Sequence, residues 1–352
     1  MNFNKELKNK KIIVTGHTGF KGSWMTAILL SYGAKVIGIS DNKIKNSHLN
    51  YLGIKKKIKE FNVDVRNEKK ITSIFKIIKP DYIFHLAAQS LLPKSIKKPT
   101  ETWTTNVIGT LNVINAIKEM NNKNLSVGVI ITSDKCYFNS ESKTGYSEND
   151  KLGGEDPYSA SKASAENVFY SQFKTYFKNH KNVRLASARA GNVIGGGDWS
   201  ADRLIPDLIR SIKLKKKVKI RSLNSIRPWQ HVLEPLFGYL RLSIMLRKNK
   251  NLNGQSFNFG PKINSFFTVK QLIVQMNKNL KTNKIKFIKD KSNFKESKIL
   301  KLKIQKSYNF LKWKPLLNFS STIKLTVKWY LNYFKNKIIT FDQIEQYKEK
   351  LK

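Results

Sequence analysis

Cysteine is almost absent from this sequence: Cys136 is the only one among 352 residues. One cysteine cannot form a disulfide within the chain, and sparse cysteine is typical of a reducing compartment, so we expect a cytoplasmic protein. No run of about 18 apolar residues occurs, so we expect no membrane span. The first residues, MNFNKELKNKK, carry charge with no apolar segment behind them, so we expect no secretory signal.

Acidic residues are also scarce, with 24 Asp and Glu against 66 Lys and Arg, for a formal net charge of +42. Such a charge raises the alternative of nucleic-acid binding. However, the lysines are spread along the chain beside abundant Asn and Ile, and no zinc-ligand spacing or arginine-rich arm accompanies them. We therefore interpret the charge as biased composition and expect neither a specific nucleic-acid partner nor a metal site. It would still attract acidic small ligands such as nucleotides.

What the chain does contain is a regular alternation of apolar runs and helical patterns up to about residue 190. Six strands are predicted, in KKIIVTG, AKVIGIS, IKEFNVDVRN, PDYIFHLAA, LSVGVIITS and VRLASARAG. This alternation predicts an α/β fold with a doubly wound parallel sheet of the Rossmann type. Residues 1–190 would form a dinucleotide-binding domain. Residues 191–352 would form mainly a smaller mixed α/β substrate lobe, and some segments of it could return to the first domain. The final YKEKLK would fray.

A glycine-rich loop follows the first strand, in IIVTGHTGFKGSWM at residues 12–25. Glycines at 16, 19 and 22 let the backbone turn sharply and approach a pyrophosphate at the start of a helix. Three glycines close together by chance are the alternative, which the strand–loop–helix context disfavours. His17, Phe20 and Lys21 join the cofactor set by position. His17 occupies a position where a smaller residue would allow the cofactor phosphates to approach the loop more closely. Lys21 either adds charge to the phosphate site or faces solvent.

Further cofactor contacts are predicted at the ends of the next strands. Asp41 is suited to binding the adenosine ribose hydroxyls, and because no arginine replaces it we expect NAD rather than NADP. Asp64 could accept from the adenine amino group. The small residues of HLAAQ suit a backbone lying against the cofactor. A turn-forming Asp41 and ordinary packing of the alanines are the alternatives. The remaining residues predicted at this edge of the sheet are Val65, Leu86, Ala87 and Ala88 for the cofactor and Gln89 for the substrate.

The string DPYSASK carries a candidate catalytic pair, Tyr158 and Lys162. Asp156 is a plausible N-cap and Pro157 suits the first helical position. The spacing of four then places the tyrosine and the lysine on one helix face. A nearby ammonium stabilises a phenolate, which would make the tyrosine a general base. An exposed tyrosine beside a solvated lysine is the alternative if the spacing is taken alone.

Together these motifs resemble the extended short-chain dehydrogenase/reductase family, also called the NAD-dependent epimerase/dehydratase family. TGxxGFxG, HLAAQ, a strand ending in TSD and YxxxK occur in the family's order. Longer strings narrow the resemblance to the CDP-glucose 4,6-dehydratase family within it, and it extends from about Lys10 to about Tyr330. These strings are GHTGFKGSW (16–24), TSDKCY (132–137), GNVIGGGDWSADRLIPD (191–207) and RPWQHVLEPL (227–236).

The resemblance implies an NAD-dependent lyase that converts CDP-D-glucose to CDP-4-keto-6-deoxy-D-glucose in deoxysugar or lipopolysaccharide-type glycan synthesis. Tyr158 would take the C4 hydroxyl proton, Ser133 would hydrogen-bond that oxygen, and Lys162 would hold the nicotinamide ribose and lower the pKa of Tyr158. Asp134 would be the acid at the C6 hydroxyl. Related dTDP-glucose dehydratases have a glutamate as C5 base where this chain has Lys135, which would serve as that base or stabilise the enolate.

The substrate contacts implied by the resemblance lie mainly in the second half of the chain. Arg227 and Arg203 would bind the diphosphate, and Asn192 the diphosphate or sugar. A surface salt bridge is the alternative for Arg203, and a structural role is the alternative for His231. We expect a homodimer or homotetramer. A dehydratase or 4-epimerase acting on another nucleotide sugar is the alternative function, although Asp134 argues against the epimerase.

Overall fold

A computed structural model of the chain describes residues 1–41, 47–220, 222–262, 266–280, 285, 287–289 and 298–351. Across these residues, no helix is both long enough and apolar enough to cross a bilayer.

A seven-stranded parallel sheet forms the centre of the molecule, in the order β11-β6-β5-β4-β1-β2-β3. The predicted α/β fold with a doubly wound parallel sheet is therefore confirmed. The described strands are β1 Lys11–Thr15, β2 Lys35–Ser40, β3 Lys59–Asn62, β4 Tyr82–His85, β5 Ser126–Ile131, β6 Val183–Ala190, β7 Val193–Ile194, β8 Val218–Ile220, β9 Ile226–Arg227, β10 Gln230–His231, β11 Ser256–Phe259, β12 Phe267–Thr268 and β13 Phe287–Lys289.

The edge strand β11 was not predicted from the sequence. Its four residues lie far beyond the sixth strand, and Ser256 pairs with Ser187 of β6 in parallel register. The sequence SFNF is too short to show the hydrophobic periodicity of a strand. Only its pairing with β6 makes it part of the sheet. A segment of the second half thus lies in the central sheet, while the division near residue 190 stays a prediction. The loop predicted at GNVIGGGDWS also contains the short strand β7, which pairs with β10.

Helices cover both faces of the sheet. They are α1 Phe3–Leu7, α2 Phe20–Ser31, α3 His48–Tyr51, α4 Glu68–Ile78, α5 Leu92–Lys97, α6 Pro99–Trp103, α7 Gly109–Glu119, α8 Pro157–Gln172, α9 Leu204–Leu214, α10 Leu233–Lys248, α11 Val269–Leu280, α12 Gln305–Leu311, α13 Phe319–Tyr333 and α14 Thr340–Leu351. A π-helical turn at Thr104–Ile108 joins α6 to α7, and a second at Phe173–Phe177 extends α8.

The C-terminal helix α14 corrects one prediction. The tail was expected to fray, but α14 continues to Leu351, and Tyr347 is buried with its hydroxyl donating to Glu234 over 2.7 Å. Ile344 is buried on the same helix, so α14 docks through a short apolar face and one buried hydrogen bond, although its final residues are mostly charged.

The alternation of side chains along the strands builds two hydrophobic layers. Ile12 and Val14 of β1 pack into one layer with α2, α10, α13 and α14, whereas Ile13 packs into the other with α4, α7 and α8. Since all seven strands are parallel, the loops that follow β1, β4, β5 and β6 leave the sheet at the same edge. Those loops carry the glycine-rich segment, HLAAQ, TSDK and GNV.

Candidate active site

The glycine-rich loop between β1 and α2 forms a close-packed cradle. Gly16 has a φ of +71°, and a Cβ there would lie 2.8 Å from the backbone of Ala87. A Cβ on Gly22 would overlap the carbonyl oxygen of Gly16. Gly19 occupies the N-cap of α2 and has no side chain to cap the helix. A dinucleotide pyrophosphate suits such a helix start, so these residues fit NAD.

His17 points towards the sheet. Its ring is fully buried, packs where a Cβ on Gly38 of β2 would sit, and holds Nε2 2.7 Å from Glu60 Oε1 of β3. The ring therefore braces the two strands beside the loop. Its effect on phosphate approach stays a prediction.

The predicted adenosine residues lie beside an arginine that the sequence analysis missed. Arg66 donates to Asp64 through Nε (3.0 Å) and Nη2 (2.6 Å). These hydrogen bonds raise the pKa of Arg66, and the charges of Glu101 and Asp41 act in the same direction. Both predicted carboxylates are thus near one guanidinium. The only sequence signal was its position two residues after Asp64.

The loop after β4 is fixed by internal hydrogen bonds. The N–H groups of Leu86 and Ala87 donate to the backbone and side-chain oxygens of Thr15, each over 3.2 Å. Ala88 is half-buried beside them. The Gln89 amide bonds Leu91 and Thr102, so that side chain already shapes the loop.

Val65 and His85 complete the surroundings of the predicted cofactor residues. Val65 is buried against Gly109, and its carbonyl accepts from Asn112. His85 bonds Thr15 and Thr110, and burial lowers its pKa to about 3, so it is neutral.

Helix α8 delivers the tyrosine and lysine. As predicted, Asp156 caps it, accepting from the N–H groups of Tyr158 (2.9 Å) and Ser159 (3.0 Å), and Pro157 is its first residue. Tyr158 and Lys162 are only 9% and 5% exposed. The environment of both side chains is therefore the interior of the protein rather than solvent.

The strand end carrying Ser133 meets this helix. The Ser133 hydroxyl donates to Asp134 Oδ1 (2.9 Å) and accepts from the Lys135 N–H (3.2 Å). It also hydrogen-bonds Tyr158, an interaction that lowers the pKa of the phenol. The structure thus brings together four of the predicted catalytic side chains, and partly exposed Lys135 follows them.

The protonation of the tyrosine–lysine pair differs from the prediction. Burial raises the pKa of Tyr158 to about 12, against the opposing hydrogen bond from Ser133. Burial also lowers the pKa of Lys162 to about 8, against the opposing charge of Glu166. In the protein alone, desolvation of the phenolate therefore outweighs the lowering that we expected from Lys162.

Asp134 lies among cations. Burial raises the pKa of its carboxyl, while Lys135, the Ser133 hydroxyl, Lys21 and Arg227 oppose that rise. Its Oδ2 has no hydrogen-bond partner among the described residues. Such a carboxyl can hold a proton at higher pH than an ordinary aspartate and present it to a leaving group.

Lys21 lies close to Asp134, Lys162 and Arg203. Its side chain is partly exposed along its length, but burial of the ammonium, followed by the charges of Arg203 and Lys162, lowers its pKa to about 7. Asp134 opposes this lowering. The lysine of the glycine-rich loop therefore lies within electrostatic reach of the Asp134 carboxyl, which the sequence pattern did not indicate.

The predicted substrate residues have different surroundings. Arg203 binds Asp198 Oδ2 (3.1 Å) and donates to Ser90 (2.7 Å), so it joins the loop before α9 to the loop after β4. Arg227 is buried in β9, close enough to act on Asp134.

Asn192 directly precedes β7, and His231 lies on β10, the strand that pairs with β7. Asn192 is half-buried, and its carbonyl accepts from the Gln230 N–H over 3.0 Å. His231 is fully buried, edge-on to Trp24 at 5.9 Å between ring centroids, and burial lowers its pKa to about 3. A neutral, packed ring fits the structural alternative for His231.

Residues 13–326 match the model of the GDP-mannose 4,6 dehydratase family. The chain is 41% identical to a CDP-glucose 4,6-dehydratase of Salmonella typhimurium over 92% of this chain and 91% of that protein. It is 26% identical to a dTDP-glucose 4,6-dehydratase of Haemophilus influenzae, over 91% of this chain and 97% of that one.

Two solved structures have the same fold. An epimerase from Methanothermobacter thermautotrophicus matches with a TM-score of 0.83 and 20% identity, over 95% of this chain and 96% of that one. A dTDP-glucose 4,6-dehydratase from Bacillus anthracis, in complex with NAD, matches with a TM-score of 0.76 and 22% identity, over 93% and 98% of the two chains.

Proposed function

Because the chain belongs to the GDP-mannose 4,6 dehydratase family, we propose that it catalyses the NAD-dependent dehydration of CDP-D-glucose to CDP-4-keto-6-deoxy-D-glucose. The identity of 41% over nearly the whole length of a CDP-glucose 4,6-dehydratase carries this proposal beyond the family. The adjoining Ser133, Asp134, Tyr158 and Lys162 supply the groups that the reaction requires.

The cofactor would lie along the carboxyl edge of the sheet. The cradle of Gly16, Gly19 and Gly22 would hold its pyrophosphate, Asp41 its adenosine ribose, and Lys162 its nicotinamide ribose. When bound, NAD supplies a reversible hydride acceptor, so the sugar is oxidised at C4 and later reduced at C6 with no net redox change. The solved dehydratase from Bacillus anthracis is a complex with NAD, which supports this choice.

Three side chains would move the protons. Tyr158 takes the proton of the C4 hydroxyl while Ser133 hydrogen-bonds the same oxygen. The resulting ketone acidifies the C5 proton, and Asp134 protonates the departing C6 hydroxyl. Its raised pKa supports the acid role, because the carboxyl must carry a proton when the hydroxyl leaves.

Lys135 would act at C5, either as the base or as the cation that stabilises the enolate. It follows Asp134 directly, and its charge already acts on that carboxyl. Arg203 and Arg227 would hold the diphosphate, with Asn192 at the sugar or diphosphate. Arginine is suited to this task because its fork of donors matches phosphate oxygens.

The enzyme would act as a homodimer, alone or within a tetramer, in the cytoplasm. Trp103, Ile108 and Tyr170 are 38%, 46% and 59% exposed on the neighbouring helical segments α6–α7 and α8. Large exposed apolar side chains on adjacent helices suit burial against a second copy. Sedimentation should show Ile108→Glu dissociating, whereas Ile77→Glu, at a 69% exposed site on α4, should leave the assembly intact.

One experiment tests the activity. The purified protein is incubated with NAD+ and, separately, with CDP-, dTDP-, GDP- and UDP-hexoses, and the products are analysed by mass spectrometry. We expect CDP-glucose to lose one water, and Tyr158→Phe to abolish the loss. An unchanged CDP-glucose would contradict the proposal, and dehydration of another nucleotide sugar alone would reassign the substrate. A product of unchanged mass that separates chromatographically from the starting sugar would indicate inversion at C4 and would support an epimerase.

A further inference from the structure

A buried polar cluster lies behind the catalytic side chains. Its centre is Glu166, 2% exposed on α8. The carboxylate accepts from Thr132 Oγ1 (2.5 Å), Ser187 Oγ (2.8 Å), Ser256 Oγ (3.2 Å) and Arg189 Nη2 (2.8 Å). One carboxylate thus receives hydrogen bonds from the residue after β5, from two residues of β6 and from the first residue of β11.

The cluster connects the two elements that carry the catalysis. Thr132 directly precedes Ser133 at the end of β5, and Glu166 lies one helical turn after Lys162. The Thr132–Glu166 bond therefore spans from the strand bearing the serine to the helix bearing Tyr158. On the far side, Arg189 of β6 holds the same carboxylate in place.

We propose that Glu166 is a positioning residue for the dehydration, which holds Ser133 and Asp134 against Tyr158 and keeps Lys162 charged. The inference rests on the proposed function. Thr132, which directly precedes Ser133 and Asp134, donates its hydroxyl to Glu166, and Glu166 lies on the same helix as Tyr158 and Lys162. A shift of about 1 Å at such a site can cost about a hundredfold in rate, so an internal anchor has a large effect on catalysis.

The charge of Glu166 acts on Lys162 as well. Burial lowers the pKa of Lys162 to about 8, and the carboxylate charge of Glu166 opposes this lowering. The other titratable groups facing Lys162 are Lys21 from α2, whose pKa Lys162 lowers, and His85 from β4, which is neutral.

Glu166 itself faces the cation Arg189 and the buried thiol of Cys136. Burial raises the pKa of Cys136 well above its ordinary value, so its thiol is uncharged where Lys162 titrates. With Glu166 neutral, the negative charge that opposes the lowering of the Lys162 pKa is lost, so Lys162 loses its proton at lower pH.

A comparison of Thr132→Val with Thr132→Ser tests whether Glu166 holds Ser133 and Asp134 in position. Valine keeps the shape but removes the donor to Glu166, and leaves the Glu166–Arg189 ion pair intact. We expect kcat for CDP-glucose to fall about tenfold or more with KM and the melting temperature little changed, and serine to restore it. Wild-type kcat in the valine variant would overturn the proposal.

The variant Glu166→Gln tests whether the charge of Glu166 keeps Lys162 protonated. We expect the alkaline limb of the kcat–pH profile to move down by about one pH unit, and Glu166→Asp to keep it in place. The same shift should appear in the pH midpoint for acetylation of Lys162 by acetic anhydride, read by mass spectrometry. An unmoved midpoint in a folded variant would overturn the proposal.

The two readouts separate the inference from the proposed function. Acetylation of Lys162 needs no turnover, so it reports on the cluster even if CDP-glucose is not the substrate. If Glu166→Gln does not fold, the pair of Thr132 variants decides alone.

Discussion

Opposing influences on single side chains decide the chemistry of the site at the scale of residues. Asp134 is the clearest case, since burial raises its pKa while Lys135, Ser133, Lys21 and Arg227 oppose the rise. The net effect is a carboxyl that keeps its proton to higher pH than a solvated aspartate. In the proposed role as an acid, Asp134 would work below its pKa, so loss of water should slow as the pH rises through that value.

Asp134→Asn should separate oxidation from elimination. The amide cannot donate a carboxyl proton, so dehydration should fall by about a hundredfold or more, whereas oxidation at C4 should continue. Stopped-flow absorbance of the reduced nicotinamide and mass spectrometry of the product measure the two steps. Water loss at the wild-type rate in the variant would exclude Asp134 as the acid.

Lys135→Ala should slow exchange of the C5 hydrogen with solvent deuterium. The reason is that Lys135 either removes this proton or stabilises the enolate that follows. Mass spectrometry of CDP-glucose and product after incubation in deuterium oxide measures the exchange. Lys143→Ala, at an exposed position, is the matched control. If the two variants exchange alike, Lys135 has no role at C5.

The sequence identifies the residues of the proposed catalytic set, which stays a prediction, but it does not give their environments. The motif spacing predicted Tyr158 and Lys162 on one helix, and the structure has them there. The spacing contains no information on desolvation, which raises the pKa of the tyrosine. Glu166 and Arg189 were missed because their contacts join residues that are distant along the chain.

At the scale of elements, the junction of β1 and α2 depends on the absence of one Cβ. Gly16→Ala and Gly53→Ala make a matched pair, because their φ angles are +71° and +64°. Each substitution should lower the free energy of unfolding by about 1 kcal/mol, because alanine disfavours a positive φ. Only the first also meets the backbone of Ala87, at 2.8 Å, whereas the site of the second is open.

We therefore expect Gly16→Ala to lose NAD+ affinity and more stability than Gly53→Ala. Calorimetric titration with NAD+ and urea unfolding measure the two quantities. Equal affinities in the two variants would show that the cradle tolerates a methyl group and does not hold the pyrophosphate.

Elements with a strong hydrophobic periodicity could be predicted from the sequence, and elements without one could not. The six predicted strands are all present in the sheet, and the family resemblance is confirmed by the matched model and the relative at 41% identity. Strand β11 and the docked helix α14 were missed. Both are specified by the surfaces they contact, β6 and the pocket around Glu234, rather than by their own sequences.

At the scale of the whole molecule, Glu234 connects three distant parts of the chain. Its carboxylate lies on α10 and accepts from the N–H groups of Leu316 and Leu317 and from the Tyr347 hydroxyl of α14. Burial nevertheless raises its pKa to about 7. The buried charge is therefore a cost to folding at neutral pH.

The stability of the fold should fall with pH because of this group. A folded pKa above the unfolded value means that the unfolded chain releases the proton first. The free energy of unfolding therefore falls by roughly 3 kcal/mol between about pH 4.5 and 7. Urea unfolding of the wild type and Glu234→Gln across this range should give curves that diverge, with the variant losing less. Parallel curves would contradict the pKa shift.

The position of β11 has a consequence for how the protein is made. On the ribosome, β6 leaves long before Ser256–Phe259 is synthesised, so its outer edge waits unpaired while the intervening chain is translated. An unpaired strand edge invites association with other chains. Premature termination between the two strands should therefore give aggregating fragments, and chaperone binding to nascent chains should be greatest over the same interval.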